Sequence, residues 1–177
     1  MSPIVYAVVA LVAVQRAVEL WHAQRNTRAL LQRGATEVGR GHYPLIVALH
    51  AAWLVSVVLA APSPVSVAWP WLVLFGALQP VRIWIMRSLG PFWTTRIITL
   101  RNAPLVKRGP YRLVRHPNYI VVALEIAALP LAFHEYRVAA GFSLANAALL
   151  AWRIREENLA LAPRNEVEPL AGGVGEA

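Results

Sequence analysis

Five apolar segments dominate the sequence, and each is close to the length of a helix that crosses a bilayer. They comprise residues 3–21, 45–61, 65–86, 117–133 and 138–154. A spanning helix needs about 20 mainly apolar residues, and a helix satisfies its own backbone hydrogen bonds in lipid. A soluble fold could hardly bury five such segments in 177 residues, of which 58% are hydrophobic. We therefore expect an all-α, polytopic membrane bundle with about five transmembrane helices.

The basic residues indicate how this bundle is oriented. Fourteen of the seventeen Lys and Arg residues lie in three stretches, residues 22–44, 87–116 and 153–164. The two remaining connections, 62–64 and 134–137, contain one basic residue between them. Basic residues favour the cytoplasmic side of a membrane, so we expect the N-terminus outside and the C-terminus in the cytoplasm. Because the basic residues flank apolar runs, we expect the lipid bilayer as a partner and no nucleic acid.

The chain contains no cysteine, and this removes several kinds of chemistry. Disulfides, thiolate nucleophiles and cysteine-bound metals are excluded, and we expect no metal site. Residues 1–163 are predicted to form a single integral membrane domain. Residues 164–177 are polar and glycine-rich, which is typical of a flexible tail.

The stretch 103–119, APLVKRGPYRLVRHPNY, reads as a turn that leads into a helix. Pro117 suits a first helical turn, where the amide that it lacks has no helical partner. The free amides and partial positive charge of a helix start attract carboxylates, and Tyr111 and Tyr119 offer aromatic faces to a flat ring or a sulfonium ion. Three further residues crowd this helix start: Arg112, Arg115 and His116. The alternative interpretation is a basic juxtamembrane anchor with interfacial tyrosines.

A second polar element lies near the end of the last apolar segment. Arg153 and Glu157 are four residues apart and share a helix face. They can form a surface ion pair, which contributes little to stability. Because the predicted topology puts them on the same side as residues 103–119, the two elements can instead enclose a zwitterionic ligand.

Residues 103–161 resemble the isoprenylcysteine carboxyl methyltransferase family, which is related to phospholipid methyltransferases. The resemblance rests on these residues: Leu105, Val106, Gly109, Pro110, Tyr111, Arg115, His116, Pro117, Asn118, Tyr119, Arg153 and Glu157. It implies a helical membrane bundle that uses S-adenosylmethionine as cofactor. It also implies a cofactor-binding part at 96–161, built from the last cytoplasmic loop and the end of the last helix.

The resemblance further implies roles for individual residues. The implied cofactor-binding residues are Ala103, Pro104, Leu105, Val106, Tyr111, His116, Pro117, Asn118, Tyr119 and Glu157. Arg153 matches an arginine close to the methyl acceptor and is the first catalytic candidate.

Three departures from the family pattern bear on the acceptor. Val121 stands where many members have glycine, Asn158 replaces the second carboxylate of an acidic pair, and an aromatic-rich tail is missing. These differences point away from a prenylated-protein acceptor. The chain more closely resembles bacterial relatives that methylate long-chain phenolic or pyrone products of polyketide synthases, which implies a lipophilic small molecule as partner.

Glu125 is the second catalytic candidate because it lies within the fourth apolar segment. It is eight residues beyond Pro117, or about 12 Å along a helix axis. An ionisable group at that depth is a functional candidate, and a carboxylate can take the proton of a hydroxyl acceptor. The alternative is a carboxyl group that ties helices together. His50, Asn146 and Gln79 are predicted to be structural hydrogen-bonding residues.

Together these observations favour an S-adenosylmethionine-dependent O-methyltransferase of the bacterial cytoplasmic membrane. Its active site is expected on the cytoplasmic side, and its acceptor oxygen is a carboxylate or a phenol or enol hydroxyl. Two alternatives remain open: an NADPH-dependent membrane reductase with a similar helical core, and a non-catalytic membrane adaptor with a basic face.

Overall fold

The computed structural model describes residues 3–100, 103 and 105–162, which contain five α-helices. They are α1 (Pro3–Gln32), α2 (Tyr43–Ala60), α3 (Trp69–Leu89), α4 (Pro117–Ala132) and α5 (Tyr136–Leu161). The predicted helical bundle is therefore confirmed. Pro104 and the predicted tail, 164–177, lie outside the described residues.

Helix length and surface character show an integral membrane protein. Within the described residues, Pro3–Gln32, Arg40–Ala60 and Trp69–Phe92 are long and apolar enough to cross a membrane. Helix α4 is also apolar but has 16 residues. Large apolar side chains face outward on several helices, with Leu11 70% and Leu144 74% exposed. That all five helices cross the bilayer, and in which orientation, stays a prediction.

Helix α1 is longer than the apolar pattern indicates. It continues beyond residue 21 to Gln32, so the helical part of the predicted basic loop is an extension of α1. No glycine or proline interrupts residues 22–33. The helix ends at Gln32, and two residues later Gly34 has a left-handed φ of 86°, a conformation that glycine adopts without steric cost.

Two short strands, which the sequence did not predict, join the two long polar loops. Strand β1 (Thr36–Val38) pairs antiparallel with β2 (Ile97–Thr99), with Thr36 opposite Thr99. The Arg96 Nη1 group donates to Glu37 Oε1 at 2.7 Å, and its guanidinium lies 4.5 Å from the centroid of the Tyr43 ring. These contacts hold the segment after α3 against the start of α2.

Helix α4 lies at the centre of the bundle. Its inward face packs Ile126 and Leu129 against Trp53 of α2 and Phe75 of α3, all of them buried. The Trp53 indole N–H donates to the Ile126 carbonyl at 3.2 Å. This packing fixes the start of α4, where the predicted motif lies.

Candidate active site

The turn that precedes α4 is held on the end of α3. Gly109 has a left-handed φ of 56°, and a Cβ at this position would collide with the Ser88 hydroxyl. The neighbouring Arg108 Nε donates to the Ser88 carbonyl at 2.6 Å. Only glycine allows this close approach, so the Gly109–Arg112 turn presents Tyr111 at a fixed position beside α4.

The start of α4 and the end of α5 are joined through Tyr119. Arg153 Nε donates to the Tyr119 hydroxyl at 2.7 Å, and that hydroxyl donates to Glu157 Oε2. We call this arrangement the Tyr119 bridge. Arg153 and Glu157 do share a helix face as predicted, but a tyrosine hydroxyl connects them.

A second contact locks the same two helix ends together. The His116 ring stacks on Tyr119 with centroids 5.2 Å apart, and its Nε2 lies 3.1 Å from Asn158 Oδ1. Asn158, noted above as a departure from the family pattern, therefore orients the histidine. Its partner is 42 residues away in sequence, so no local pattern could have revealed this role.

A cavity of about 430 Å³ opens beside the Tyr119 bridge. Eight predicted site residues line it: Leu105, Val106, Tyr111, His116, Asn118, Tyr119, Arg153 and Glu157. Ala103 and Pro117 are described but do not line it, although Pro117 begins α4 as predicted. We call this space the first cavity.

Sequence reasoning named no individual residue of the other wall of the first cavity, although the expected cofactor-binding part, 96–161, includes its last three residues. That wall comes from the end of α3 and the segment that leads into β2: Leu89, Phe92, Trp93, Thr94, Arg96, Ile97 and Ile98. The signal that could have revealed this wall is the aromatic pair Phe92 and Trp93, which follows the Gly90-Pro91 turn within a basic loop. Its place in the site depends on the β1–β2 pairing, which was not predicted.

The charges around the first cavity favour a ligand with both signs. Four cationic side chains line it, Arg96, Lys107, Arg115 and Arg153, together with the Glu157 carboxylate. Burial raises the pKa of the Tyr111 phenol, and the nearby Glu157 charge raises it further. Tyr111 therefore stays protonated and can donate a hydrogen bond.

A second, more apolar cavity of about 330 Å³ adjoins the first. It lies among α1, α2, α4 and α5 and is lined largely by aliphatic side chains, including Leu20, Ile46, Leu54 and Leu149. Five residues line both cavities: Trp93, Thr94, Asn118, Tyr119 and Arg153. Arg153 and Tyr119 thus stand at the boundary between a polar space and an apolar one.

Glu125 lies in neither cavity lining and belongs to a buried ion cluster of Arg16, Glu19, Arg82 and Glu125. Glu125 Oε2 accepts from Arg16 Nη2 at 2.6 Å and from Arg82 Nη2 at 2.8 Å. Its Oε1 accepts from Gln79 Nε2 at 3.1 Å.

This geometry argues against the prediction of Glu125 as a catalytic base. The carboxylate is 1% exposed and its oxygens are occupied by three donors, so an acceptor hydroxyl has no approach to it. The alternative, a carboxylate that ties α1, α3 and α4 together, fits the contacts. Gln79 acts as an interhelical link, as predicted, because it also accepts from Gln15 at 2.7 Å.

Comparison with known proteins adds evolutionary evidence to this geometry. A model of the isoprenylcysteine carboxyl methyltransferase family matches residues 71–163, which include most of α3 and all of β2, α4 and α5. The uncharacterized protein YpbQ of Bacillus subtilis (strain 168) is 40% identical over 163 residues, covering 88% of this chain and 95% of that protein. No solved structure matches.

Proposed function

The chain belongs to the isoprenylcysteine carboxyl methyltransferase family of membrane methyltransferases, and on that premise we propose that it methylates an oxygen of a lipophilic acceptor with S-adenosylmethionine. One observation carries the proposal. A charged cavity and an apolar cavity meet at Arg153 and Tyr119, which is the arrangement needed to bring a polar donor and a lipid-soluble acceptor together.

The residues of the first cavity fit the cofactor. Its volume of about 430 Å³ falls within the roughly 300–1,000 Å³ of ligand pockets. Glu157 can bind an ammonium or sugar hydroxyls, and Arg96, Lys107 and Arg115 can bind a carboxylate. The aromatic side chains of Phe92 and Tyr111 offer faces to a flat base or a sulfonium ion.

Bound S-adenosylmethionine would supply an electrophilic methyl carbon and a thioether leaving group. The protein then has to align the acceptor oxygen and stabilise its charge. Arg153 suits this task because its Nε is held by Tyr119 at 2.7 Å, so that its Nη groups can bind an acidic oxygen. Tyr119 fixes the guanidinium in turn, since the Tyr119 hydroxyl is itself held by the hydrogen bond that it donates to Glu157.

The second cavity suits the rest of the acceptor. Its aliphatic lining favours a hydrocarbon tail, because burial of apolar surface contributes about 25 cal/mol per Å². From the family resemblance we propose a long-chain phenol or pyrone made by a polyketide synthase. A prenylated acceptor is the second candidate and fits the same apolar lining.

We also propose that both cavities open toward the cytoplasm, with the N-terminus outside. Many residues that line the first cavity belong to the predicted basic loop 87–116, which the charge rule assigns to the cytoplasm. Because the chain has no cysteine, single cysteines at Arg33 and His134 can be labelled with an impermeant maleimide in intact cells. Labelling at position 33 but not at position 134 would reverse the proposed orientation.

Cofactor binding separates the proposal from its rivals. Calorimetry on the purified full-length protein should detect S-adenosylmethionine and no NADPH. Glu157→Gln should weaken S-adenosylmethionine binding about tenfold, because a hydrogen bond to a charged group contributes about 1.5–3 kcal/mol. The matched control is Glu156→Gln, since Glu156 does not line the cavity.

Two other outcomes of the binding experiment would favour the alternative functions. Binding of NADPH alone would favour the reductase. Binding of neither cofactor, together with binding to anionic vesicles, would favour the adaptor.

A further inference from the structure

Asn146 of α5 is a buried polar group that the bundle does not use. It is 4% exposed and lines the second cavity. No hydrogen bond joins its side chain to any residue that the structure describes, so the expected interhelical link is absent. Buried polar groups in folded proteins nearly always have a hydrogen-bond partner, so an unpartnered amide at a cavity wall indicates a partner that arrives with the ligand.

His50 of α2 lines the same cavity and offers a complementary atom. Its Nδ1 lies 2.8 Å from the Ile46 carbonyl oxygen of its own helix. Since a carbonyl only accepts, Nδ1 carries the proton, and Nε2 of the neutral ring is an acceptor. This hydrogen bond lies within α2, and it sets the tautomer of the His50 ring.

The charges near these two residues indicate an uncharged ligand group. Arg16, Glu19 and Arg82 also line the second cavity, but they are ion-paired. Arg16 Nη1 lies 2.8 Å from Glu19 Oε2, and Arg82 Nη2 lies 2.8 Å from Glu125 Oε2. This ion cluster holds two arginines and two glutamates, so it has no net charge with which to attract an anion. The remaining charged residue of the lining is Arg153, which lies at the boundary with the first cavity.

The position of Asn146 places that ligand group relative to the reaction. Asn146 precedes Arg153 by seven residues, about two helical turns and roughly 10 Å of rise. Leu149 and Leu150 lie between them in sequence and line the same cavity. The unpartnered polar atoms of Asn146 and His50 therefore lie within the second cavity, on the side of the boundary where the hydrocarbon tail of the acceptor is proposed to bind.

We propose that Asn146 and His50 recognise a second, uncharged oxygen group of the acceptor, an inference that rests on the proposed function. A hydroxyl can donate to His50 Nε2 and accept from the Asn146 amide. The acceptor then carries two oxygen groups, one that is methylated beside Arg153 and a second, uncharged one that the pair binds.

A matched pair of acceptors tests this recognition directly. A 5-alkylresorcinol and a 3-alkylphenol with the same tail differ by one hydroxyl, and kcat/KM for each is measured with the full-length enzyme in nanodiscs. Asn146→Leu and His50→Phe should each lower kcat/KM for the resorcinol about tenfold more than for the phenol, as expected for one lost hydrogen bond. His50→Gln should recover part of the preference.

The control for shape is Leu149→Ala, which removes apolar surface from the same cavity and should affect both acceptors equally. S-adenosylmethionine affinity, measured for each variant, reports whether the protein is folded. Equal losses for both acceptors in Asn146→Leu and His50→Phe, or no loss, would overturn the proposal.

A wild-type enzyme that methylates neither compound would contradict the proposed phenolic acceptor instead. The recognition pair is then tested by thermal unfolding with each compound added. Greater stabilisation by the resorcinol, lost in Asn146→Leu, supports the pair, and equal stabilisation overturns it.

Discussion

Two parts of this protein use arginine and glutamate in opposite ways. In the Tyr119 bridge, Arg153 and Glu157 are joined by a phenol and border a cavity. In the buried ion cluster, Arg16 and Arg82 both bind Glu125, which is 1% exposed and lines no described cavity. The side-chain types are the same, but the Glu125 carboxylate is enclosed by its donors, whereas the bridge borders a cavity that can hold a ligand.

The difference follows from how many donors each carboxylate meets. Three donors from α1 and α3 converge on Glu125, which compensates the large cost of a charge inside a membrane. Glu157 receives the Tyr119 hydroxyl at the end of α5 and also lines the first cavity. We infer that a carboxylate enclosed by donors supports the fold, whereas one that borders a cavity can bind a ligand.

The largest effect is expected for Arg153→Ala. The variant should lose turnover about 10³-fold, because a group that stabilises developing charge contributes on that scale, while S-adenosylmethionine affinity changes less than about threefold. Radiolabelled methyl transfer and calorimetry measure the two quantities. Arg155→Ala is the control, since Arg155 is exposed on another face of α5; normal turnover in Arg153→Ala would remove the arginine from the mechanism.

Glu125→Ala should show the opposite pattern. Removing one partner from a buried ion pair typically costs about 3–5 kcal/mol, because Arg16 and Arg82 are left without their shared carboxylate. The melting temperature should fall steeply, whereas turnover per folded molecule should persist. Glu125→Gln, which keeps the shape and one acceptor oxygen, should be milder. A variant of normal stability with no turnover would restore Glu125 as a base.

Glu135 extends the comparison to a buried carboxylate that has no donor. It lies between α4 and α5, is 6% exposed, and neither oxygen has a hydrogen-bond partner among the described residues. Burial raises its pKa from 4.5 to about 7. The folded protein then binds more protons than the unfolded chain between these pH values, so stability should fall as pH rises from about 4.5 to about 7.

This effect is the smallest of the three. Glu135→Gln should reduce the pH dependence and raise the melting temperature at pH 8 by about 2–4 °C, the shift expected from about 1 kcal/mol. Thermal unfolding of both proteins at pH 5 and pH 8 is the measurement. Parallel pH profiles would show that Glu135 titrates normally.

Much of the fold was predictable because a backbone in lipid must satisfy its own hydrogen bonds, and a helix does so. The five apolar segments correspond to the five helices, and the errors are at their ends, as in α1, where the polar residues 22–32 remain helical. Strands β1 and β2 were missed because three-residue strands have no pattern of their own. Their pairing depends on residues about 60 positions apart.

The candidate site was predictable to the extent that its residues are close together in sequence. Residues 105–119 and 153–157 contain ten of the side chains that line the first cavity, and eight of these were predicted as site residues from the family motif. The opposite wall, from Phe92 to Ile98, carries no such motif. The role of Asn158 could not be predicted either, because its partner His116 precedes another helix and is 42 residues away in sequence.

By itself, the sequence determined that this chain is a helical membrane protein of a methyltransferase family, because hydropathy and a local motif depend on neighbouring residues. Only the tertiary structure decided which polar groups are used up and which remain for a ligand. Arg16 reaches Glu125 across 109 residues, whereas Asn146 meets no described partner. A hydrogen bond forms only when a donor and an acceptor come close together, and the packing of the helices decides which of these groups do so.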